Sequence, residues 1–483
     1  MTLSVDVLAA VCNQLEPTPT TTGSVAALRH EKNQTILALS NVCRLWCHHI
    51  TGCKHLFRDI AFDASCRESV VTAGVFLKML EGTRVPISVY ANLGQSPHPS
   101  SAVTKLFIQL RPHIQRIVHF EYDGDMAGYR SHLDRPAPSL RFFSDGFDTH
   151  PGNGLPIFRG QMPELRVLIA LSPTSQIVWA TSTLPNLTIL NLGFLDMGPS
   201  IPLSSLLDLL RGSPRLENIS VQCFTPVVNP NEAIQKVLLP LLHTLTLRHN
   251  EFHTILKHLG MPNVRKVFFC GESYPVSGQE LNPTFKDLHL FAGVPPFPIF
   301  ERPIETLRLE TTGNGRTNVD FRIRLAAEEG FVVQVSLSWI LDAVPLFDEY
   351  LKHSIMWLTG VVSLAPQARV ELFLAYMAPL DIPVYQPFLL AVDIGNLTIW
   401  GGFGVDVLDR LTARAGSECP LPRLKLLNIV GQLPISGEEG RRALTSCLRS
   451  RVAGRVRLSI RLLGTEVPGM DLIGSGCVVE REL

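Results

Sequence analysis

The chain has 483 residues, of which 46% are hydrophobic and 18% charged, and 43 basic and 43 acidic residues give it a formal net charge of zero. Apolar residues run through its whole length, so we expect nearly all of it to pack rather than to form a disordered half. The balanced charge excludes a global attraction to nucleic acid or to anionic membranes, and partners must be chosen by local surfaces.

The first residues and the cysteines favour an address inside the cell. The opening stretch, MTLSVDVLAAVCNQLEP, lacks a cationic start and carries Asp6 and Glu16, which is untypical of a signal peptide. No uninterrupted apolar run approaches the roughly 18 residues of a membrane helix. The ten cysteines form no C-x-x-C pair, and Cys43 and Cys47 are typical of reduced thiols in a core. We expect a cytoplasmic or nuclear protein.

Two apolar helical segments open the chain in this sequence. Leu3, Val7 and Val11 recur at every fourth position, which predicts one face of a helix. A polar insert, 16–35, separates this helix from a second apolar segment at 36–50, which has apolar residues on more than one side. Because so small a module buries its own apolar area poorly, a partner or the first elements of the following domain should cover the rest.

These segments resemble an F-box. Residues 36–46 read ILALSNVCRLW and residues 56–60 read LFRDI, which is similar to the family pattern L-x-x-L-S-x-V-C-R-x-W followed by L-W-R-x and an apolar residue. The resemblance implies a helical module at 1–55 that docks on the Skp-type adaptor of a Skp, cullin and F-box ubiquitin ligase. By the same resemblance the adaptor-binding residues are Leu3, Val7, Leu8, Val11, Leu39, Val42, Cys43 and Trp46.

The body of the chain reads as a repeat. Residues 242–252, LHTLTLRHNEF, match the leucine-rich-repeat signature L-x-x-L-x-L-x-x-N-x-L, with Phe252 at the last apolar position. Weaker copies recur, mostly at intervals of roughly 20 to 29 residues, and a proline often stands two residues before the first apolar anchor. The copies begin at Leu187, Leu216, Val264, Phe285, Ile304, Ile394 and Leu424, with poor copies at Val332 and Val370.

Helical patterns lie between these predicted strands. Leu203 to Leu210 is the best of them, and Gly212 and Pro214 should end it. The expected fold is therefore α/β, a small all-α F-box-like module followed over 56–483 by an irregular leucine-rich-repeat solenoid with a parallel sheet on its concave face. Further helices are predicted at 231–239, 405–415 and 438–449, and further strands at 58–62, 86–90, 114–120 and 165–170.

The positions between the apolar anchors are candidates for binding a protein substrate, whose identity this sequence does not give. We selected aromatic and basic residues among them, because these types dominate interface energetics. The predicted substrate-binding residues are Arg248, Lys266, Phe268, His289, Phe291, Arg308 and Trp400.

No motif indicates an enzyme, a cofactor or a metal. His249 and His253 have helical metal-ligand spacing, but they fall on the strand and turn of the best repeat. The chain has no G-x-S-x-G elbow and no G-x-G-x-x-G loop. Several arginines cluster at 441–461, where a solvated face is favoured, with an acidic partner or a nucleic-acid backbone as the alternative.

Three functional hypotheses follow. The first is a substrate receptor that binds the adaptor and works as a monomer within a larger complex, without nucleic acid or membrane as partner. The second is a repeat scaffold whose N-terminal helices only cap the apolar end of the solenoid. The third, an enzyme built on a repeat frame, has no motif that predicts it.

Overall fold

The computed structural model of the chain divides into two compact units. The N-terminal unit comprises Met1–Leu242 with His258–Gly260, and the C-terminal unit comprises His243–Lys257 with Met261–Leu483. Both contain largely parallel strands with helices, so the mixed α/β class is confirmed. The described residues are 25–94, 100–146, 157–171, 184–193, 201–222, 226–227, 235–248, 255–273, 303–313, 318–327, 330–340, 364–374, 395–400, 412, 424–430, 442–447, 449, 459–463 and 479–482.

Five named helices and twenty-one strands make up the described structure. The helices are α1 (Val25–Ser40), α2 (Arg44–Gly52), α3 (Arg67–Met79), α4 (Ser101–Leu110) and α5 (Leu203–Arg211), with 3₁₀ turns at Lys54–Phe57, Arg111–Arg116, Arg130–Leu133 and Ile157–Gly160 and a further helical stretch at 442–447. The strands are β1 (Asp59–Asp63), β2 (Ile87–Gly94), β3 (Ile117–Gly124), β4 (Phe142–Asp145), β5 (Val167–Ala170), β6 (Ile189–Gly193), β7 (Ile201–Pro202), β8 (Asn218–Gln222), β9 (Pro226–Val227), β10 (Val237–Leu238), β11 (Thr244–Arg248), β12 (Leu259–Gly260), β13 (Lys266–Ser273), β14 (Ile304–Gly313), β15 (Asn318–Ala327), β16 (Phe331–Ile340), β17 (Leu364–Leu374), β18 (Asn396–Trp400), β19 (Leu426–Val430), β20 (Ser459–Leu463) and β21 (Val479–Glu482).

The main sheet of the N-terminal unit is parallel throughout its described strands, in the order β1-β2-β3-β4-β5-β6-β8. One row of apolar residues crosses all seven strands in register, and each member is 2% exposed or less. Leu190 and Ile219 in this row are the middle anchors of two predicted repeat copies. The row consists of Ile60, Val89, Phe120, Phe143, Leu168, Leu190 and Ile219.

Helices α3 and α4 cover the early part of this apolar face, and the sequence reading missed both. Their buried residues follow helical spacing, as in Val70, Ala73, Phe76 and Leu77 of α3. Phe76 packs edge-on against Phe57, with the ring centroids 4.9 Å apart. The predicted helix at 203–210 is confirmed as α5, and the predicted strands near 58, 86, 114 and 165 are present as β1, β2, β3 and β5.

The first described helix begins earlier than predicted. Helix α1 starts at Val25, inside the segment 16–35 that was read as an insert. Residues 25–34, VAALRHEKNQ, contain no proline or glycine and include good helix formers, which explains the difference. The predicted module 1–55 lies wholly inside the N-terminal unit, and its boundary stays a prediction.

His113 and Arg116 hold the turn between α3 and β2. The Arg116 guanidinium donates to the carbonyls of Leu80 (2.9 Å) and Thr83 (2.5 Å), and it approaches His113 Nδ1 at 2.6 Å. A guanidinium only donates, so Nδ1 accepts and the imidazole is neutral. Burial, reinforced by the Arg116 charge, lowers the pKa of His113 below its ordinary value.

We therefore expect the N-terminal unit to lose stability in acid through His113. A lowered folded-state pKa means that its contribution is complete above the unfolded-state pKa of about 6.5 and is lost as pH falls through the folded-state value. Replacing His113 with Asn should flatten the dependence of the urea midpoint on pH between about 7.5 and 5. The same change at exposed His55 is the control and should leave the dependence as in the wild type.

The sheet of the C-terminal unit does not follow chain order. Its strands lie in the order β11-β13-β16-β15-β14-β17-β18-β19-β20-β21. All neighbours are parallel except that β15 is antiparallel to both β14 and β16. The expectation of parallel repeats stacked in sequence is thus wrong here, because β14, β15 and β16 form a meander between β13 and β17.

In the well-matched copies of this unit, the predicted anchors whose side chains are described are buried, but the two poor copies are misplaced along the chain. Strand register sets Val333, rather than Val335, opposite the middle anchor Val267. Val370 likewise lies opposite the middle anchor Leu307, so it is a middle anchor and not a first one. The buried row across this sheet is Leu245, Val267, Val333, Leu325, Leu307, Val370, Leu397 and Leu427.

Other secondary-structure predictions have mixed outcomes. The helix predicted at 231–239 is wrong at its C-terminal end, where Val237–Leu238 forms β10 and pairs with β12. Pro240 disfavours a helical conformation at Leu239, and residues 231–234 of the predicted helix lie outside the described residues. The helix predicted at 438–449 is present at 442–447. The copy at Phe285 lies outside the described residues, as does the helix predicted at 405–415 apart from Thr412.

Candidate functional site

The turn that joins α1 to α2 presents apolar side chains to solvent. Helix α1 ends at Ser40, and the amide of Val42 bonds to the carbonyl of Leu39 (3.3 Å) before α2 begins. Val42 is 62% exposed and Leu45 is 49% exposed, and Cys43 is also exposed. We name Leu39, Val42, Cys43, Leu45 and Trp46 the apolar turn; Leu39 and Trp46 are partly buried.

The apolar turn contains four of the eight predicted adaptor-binding residues, and Leu45 was missed although it stands inside the quoted motif. Leu3, Val7, Leu8 and Val11 lie outside the described residues. The reading of Cys43 and Cys47 as core thiols is wrong, since both are exposed. Helix α2 is short and buries only Ile50, which leaves most of its circumference accessible.

Helix α1 is fixed to the sheet by a buried charged cluster. Asp59 on β1 is 4% exposed, and its carboxylate receives Lys32 Nζ at 3.2 Å and Arg29 Nη1 at 3.4 Å. Asn33 Nδ2 donates to the Asp59 carbonyl at 2.8 Å. We name Arg29, Lys32, Asn33 and Asp59 the Asp59 cluster. Strand β1 pairs with β2 along one edge. The cluster holds helix α1 against the other edge, so that a helix covers this edge of the sheet.

The Asp59 cluster extends onto an aromatic side chain. The Arg29 guanidinium lies 5.3 Å from the ring centroid of Tyr90 on β2, a cation–π contact. Burial raises the pKa of the Tyr90 hydroxyl above its ordinary value, and the positive charge of Arg29 offsets part of that effect. The N-terminal helices are therefore attached to the sheet by polar contacts, while the apolar turn faces solvent.

The predicted substrate-binding residues that the structure describes occupy alternate strand positions on one face of the C-terminal sheet, the outer face, which is opposite the buried anchors. Arg248 and Lys266 are exposed, and Phe268 is partly buried in register with Thr246 and Gln334. Arg308 is partly exposed on β14. Chain order predicts β14 as the neighbour of β13, but β16 and β15 lie between these two strands. Trp400 pairs with Phe373 and Val430 in register. His289 and Phe291 lie outside the described residues.

Five alternating charges form a network on the outer face. Arg308 Nε lies 3.3 Å from Glu310 Oε2, and Arg308 Nη1 lies 3.8 Å from Glu371 Oε2. Arg369 Nε lies 2.7 Å from Glu371 Oε1, and Arg322 Nη1 lies 4.0 Å from Glu310 Oε1. Each carboxylate is thus held between two guanidinium groups contributed by neighbouring strands.

A further arginine, Arg324, stands directly opposite Arg308 in the β14–β15 pair. Like charges placed opposite each other across strands are destabilising unless other charges compensate them. Sequence reasoning missed Arg324, Arg369 and Glu371. The signal for Arg324 was the alternation of charged and apolar residues in strand β15, NVDFRIRL at 318–325, and the signal for Arg369 and Glu371 was the same alternation in β17, ARVEL at 368–372.

Among the described residues, no group of three or more His, Cys, Asp or Glu side chains is arranged to hold a metal ion. The histidine pair His249 and His253 lies outside the described residues. Of the arginine cluster at 441–461, the structure describes only Arg442, Arg449 and Arg461, on the helical segment and on β20.

No protein-family model matches this chain, and a comparison with curated proteins found no match.

Within the described part of the chain, no helix has the length and the apolar character that crossing a bilayer requires.

Proposed function

We propose that this protein is the substrate-recognition subunit of a Skp, cullin and F-box type ubiquitin ligase. The observation that carries the proposal is the exposed apolar turn, whose residues belong to the F-box-like motif. Val42 and Leu45 are exposed to water in the isolated chain. Burying such a side chain against a partner contributes about 1 to 3 kcal/mol to the free energy of binding. The partner that the motif implies is a Skp-type adaptor.

In this proposal the rest of the chain is an irregular leucine-rich-repeat solenoid that grips a protein substrate. Its support is the row of buried middle anchors at L-x-x-L-x-L spacing and the polar outer face that lies opposite them. The protein contributes proximity between substrate and transferase and no bond chemistry of its own, so it needs no cofactor. It acts as a monomer within the larger complex, in the cytoplasm or nucleus.

The Asp59 cluster favours a second candidate function. Because α1 is bound to the first strand by buried polar contacts, the N-terminal helices can serve as a cap for the sheet. In that case the protein is a non-catalytic repeat scaffold that does not bind the adaptor. The two candidates differ only in what covers the apolar turn, so one interaction experiment separates them.

The experiment is co-purification of the full-length chain with a Skp-type adaptor. We expect the wild type to retain the adaptor and Val42→Glu to lose at least about tenfold in affinity, because burying an unpaired carboxylate at an interface is costly. Val71→Glu is the matched control: Val71 on α3 is 59% exposed, close to the 62% of Val42, and lies outside the motif. A wild type that never binds the adaptor supports the scaffold.

A further inference from the structure

Four arginines gather on the outer face around strands β14, β15 and β17. Arg308 is on β14, Arg322 and Arg324 are on β15, and Arg369 is on β17. We name these four residues the arginine face. The order of the strands, rather than the order of the chain, brings them together, since β17 pairs directly with β14.

The acidic residues of this region lie deeper than the arginines. The Glu371 side chain is 11% exposed and that of Glu310 is 18% exposed. By contrast, the side chains of Arg308, Arg322 and Arg369 are 35%, 46% and 56% exposed. The carboxylates therefore hold the guanidinium groups from beneath, and the positive charge faces solvent.

Positive charge is in excess on this face among the described residues. The four arginines outnumber the carboxylates Glu310 and Glu371, and they remain in excess when Asp320, a further residue of β15, is counted. Arg324 is exposed and faces Arg308 across the strand pair, a placement that an added anion stabilises. Guanidinium groups fixed by such carboxylates lose little side-chain freedom on binding.

We propose that the arginine face binds an acidic peptide segment, through several separate carboxylate side chains. This inference rests on the proposed function in calling the segment part of the substrate, and it names the chemistry by which that substrate is recognised. Phe268, which is partly buried, and Lys266, which is exposed, lie on β13, two strands from β15, and offer a longer segment an apolar and a further basic contact. Planar guanidinium forks suit bidentate pairing with carboxylates.

The spread of the arginines favours carboxylates over one phosphate group. Neighbouring strands lie about 4.8 Å apart, and alternate residues of one strand lie about 7 Å apart. Because Arg369 is level with Thr306 and Arg322 is level with Glu310, the four arginines originate over roughly 10 Å across the strands and roughly 14 Å along them. A single phosphate is too small to engage them all. Several glutamate or aspartate side chains along an extended peptide match this distribution of charge.

Binding of a fluorescein-labelled peptide of alternating glutamate and serine to the full-length chain, measured by anisotropy without adaptor, tests the proposal. We expect binding that weakens as salt is raised, because exposed ion pairs are screened over a Debye length of about 10 Å at 0.1 M. Arg324→Gln should weaken it about fivefold, the loss of one charge-assisted contact. Arg265→Gln, an equal change of charge at an exposed residue before β13, should leave it unchanged.

Three results would overturn the proposal: no binding of the acidic peptide, equal weakening by Arg324→Gln and Arg265→Gln, or much tighter binding of a single-phosphoserine peptide of the same net charge. The last would assign the face to a phosphopeptide instead. The adaptor is absent from this assay, and its predicted contacts that the structure describes lie on the apolar turn. Loss of adaptor binding in Val42→Glu and loss of peptide binding in Arg324→Gln are therefore separate outcomes.

Discussion

Replacing Asp59 with Ala should lower the free energy of unfolding of the N-terminal unit by about 3 to 5 kcal/mol. The Lys32 side chain is only 7% exposed and lies 3.2 Å from the Asp59 carboxylate, so the substitution leaves a buried ammonium group without its nearest counter-charge. An uncompensated buried charge costs far more than the intact pair contributes. Helix α1 should separate from β1 before the rest of the sheet unfolds.

Urea unfolding followed by circular dichroism measures this loss, and two variants make the result specific. Arg58→Ala removes a half-exposed arginine 3.6 Å from the other Asp59 oxygen and should cost less than about 1 kcal/mol. The double replacement Lys32→Met with Asp59→Leu should restore most of the stability, because it removes both charges together. If Asp59→Ala proves as mild as Arg58→Ala, the cluster does not hold the helix.

Replacing Phe143 with Ala should destabilise the N-terminal unit by about 3 to 5 kcal/mol, because it opens a cavity in the aromatic core. Phe143 has no exposed surface, and its ring stacks on Phe120 with the centroids 6.0 Å apart. It also meets the rings of Tyr122 and Phe158 edge-on, at 6.2 Å and 6.3 Å. Aromatic rings pack against Phe143 on three sides, and these rigid side chains cannot easily move into the cavity that the substitution leaves.

The preceding residue supplies the matched control. Phe142 points to the opposite face of β4, is only partly buried and stacks on His119 at 4.1 Å. Phe142→Ala should therefore cost about 1 kcal/mol, near the value of one aromatic pair. The denaturant midpoints of Phe143→Ala and Phe142→Ala measure the two losses of stability. Equal losses would contradict the placement of Phe143 on the buried face of β4 and of Phe142 on the opposite face.

The repeat spacing in the sequence was informative about the core. In the well-matched copies, apolar residues at L-x-x-L-x-L spacing are buried wherever their side chains are described, because strand alternation sends the second and third anchors to the same side. Helices α3 and α4 were also readable, since Val103, Leu106, Phe107 and Leu110 keep helical spacing in α4.

The order of the strands in the C-terminal sheet could not be predicted from the sequence. A pattern along the chain shows which residues are buried but not which strand becomes the neighbour of another, so the pairing of β13 with β16 and of β14 with β17 was missed. The network that joins Arg308 to Glu371 depends on that pairing. The apolar turn was only partly predicted: four of its residues were predicted to bind the adaptor, but residues 36–50 were predicted as one helical segment, whereas α1 ends at Ser40 and α2 begins at Arg44.

The meander of β14, β15 and β16 has a consequence for how the C-terminal unit folds. Its three strands are joined by the brief connections 314–317 and 328–330, so they meet through contacts between residues near in sequence. Hairpins of this kind form within microseconds, whereas parallel pairing must first close a long loop. We therefore expect the meander to act as the nucleus on which β13 and β17 assemble from either side, joining the two stretches of parallel sheet through a centre that is quick to form.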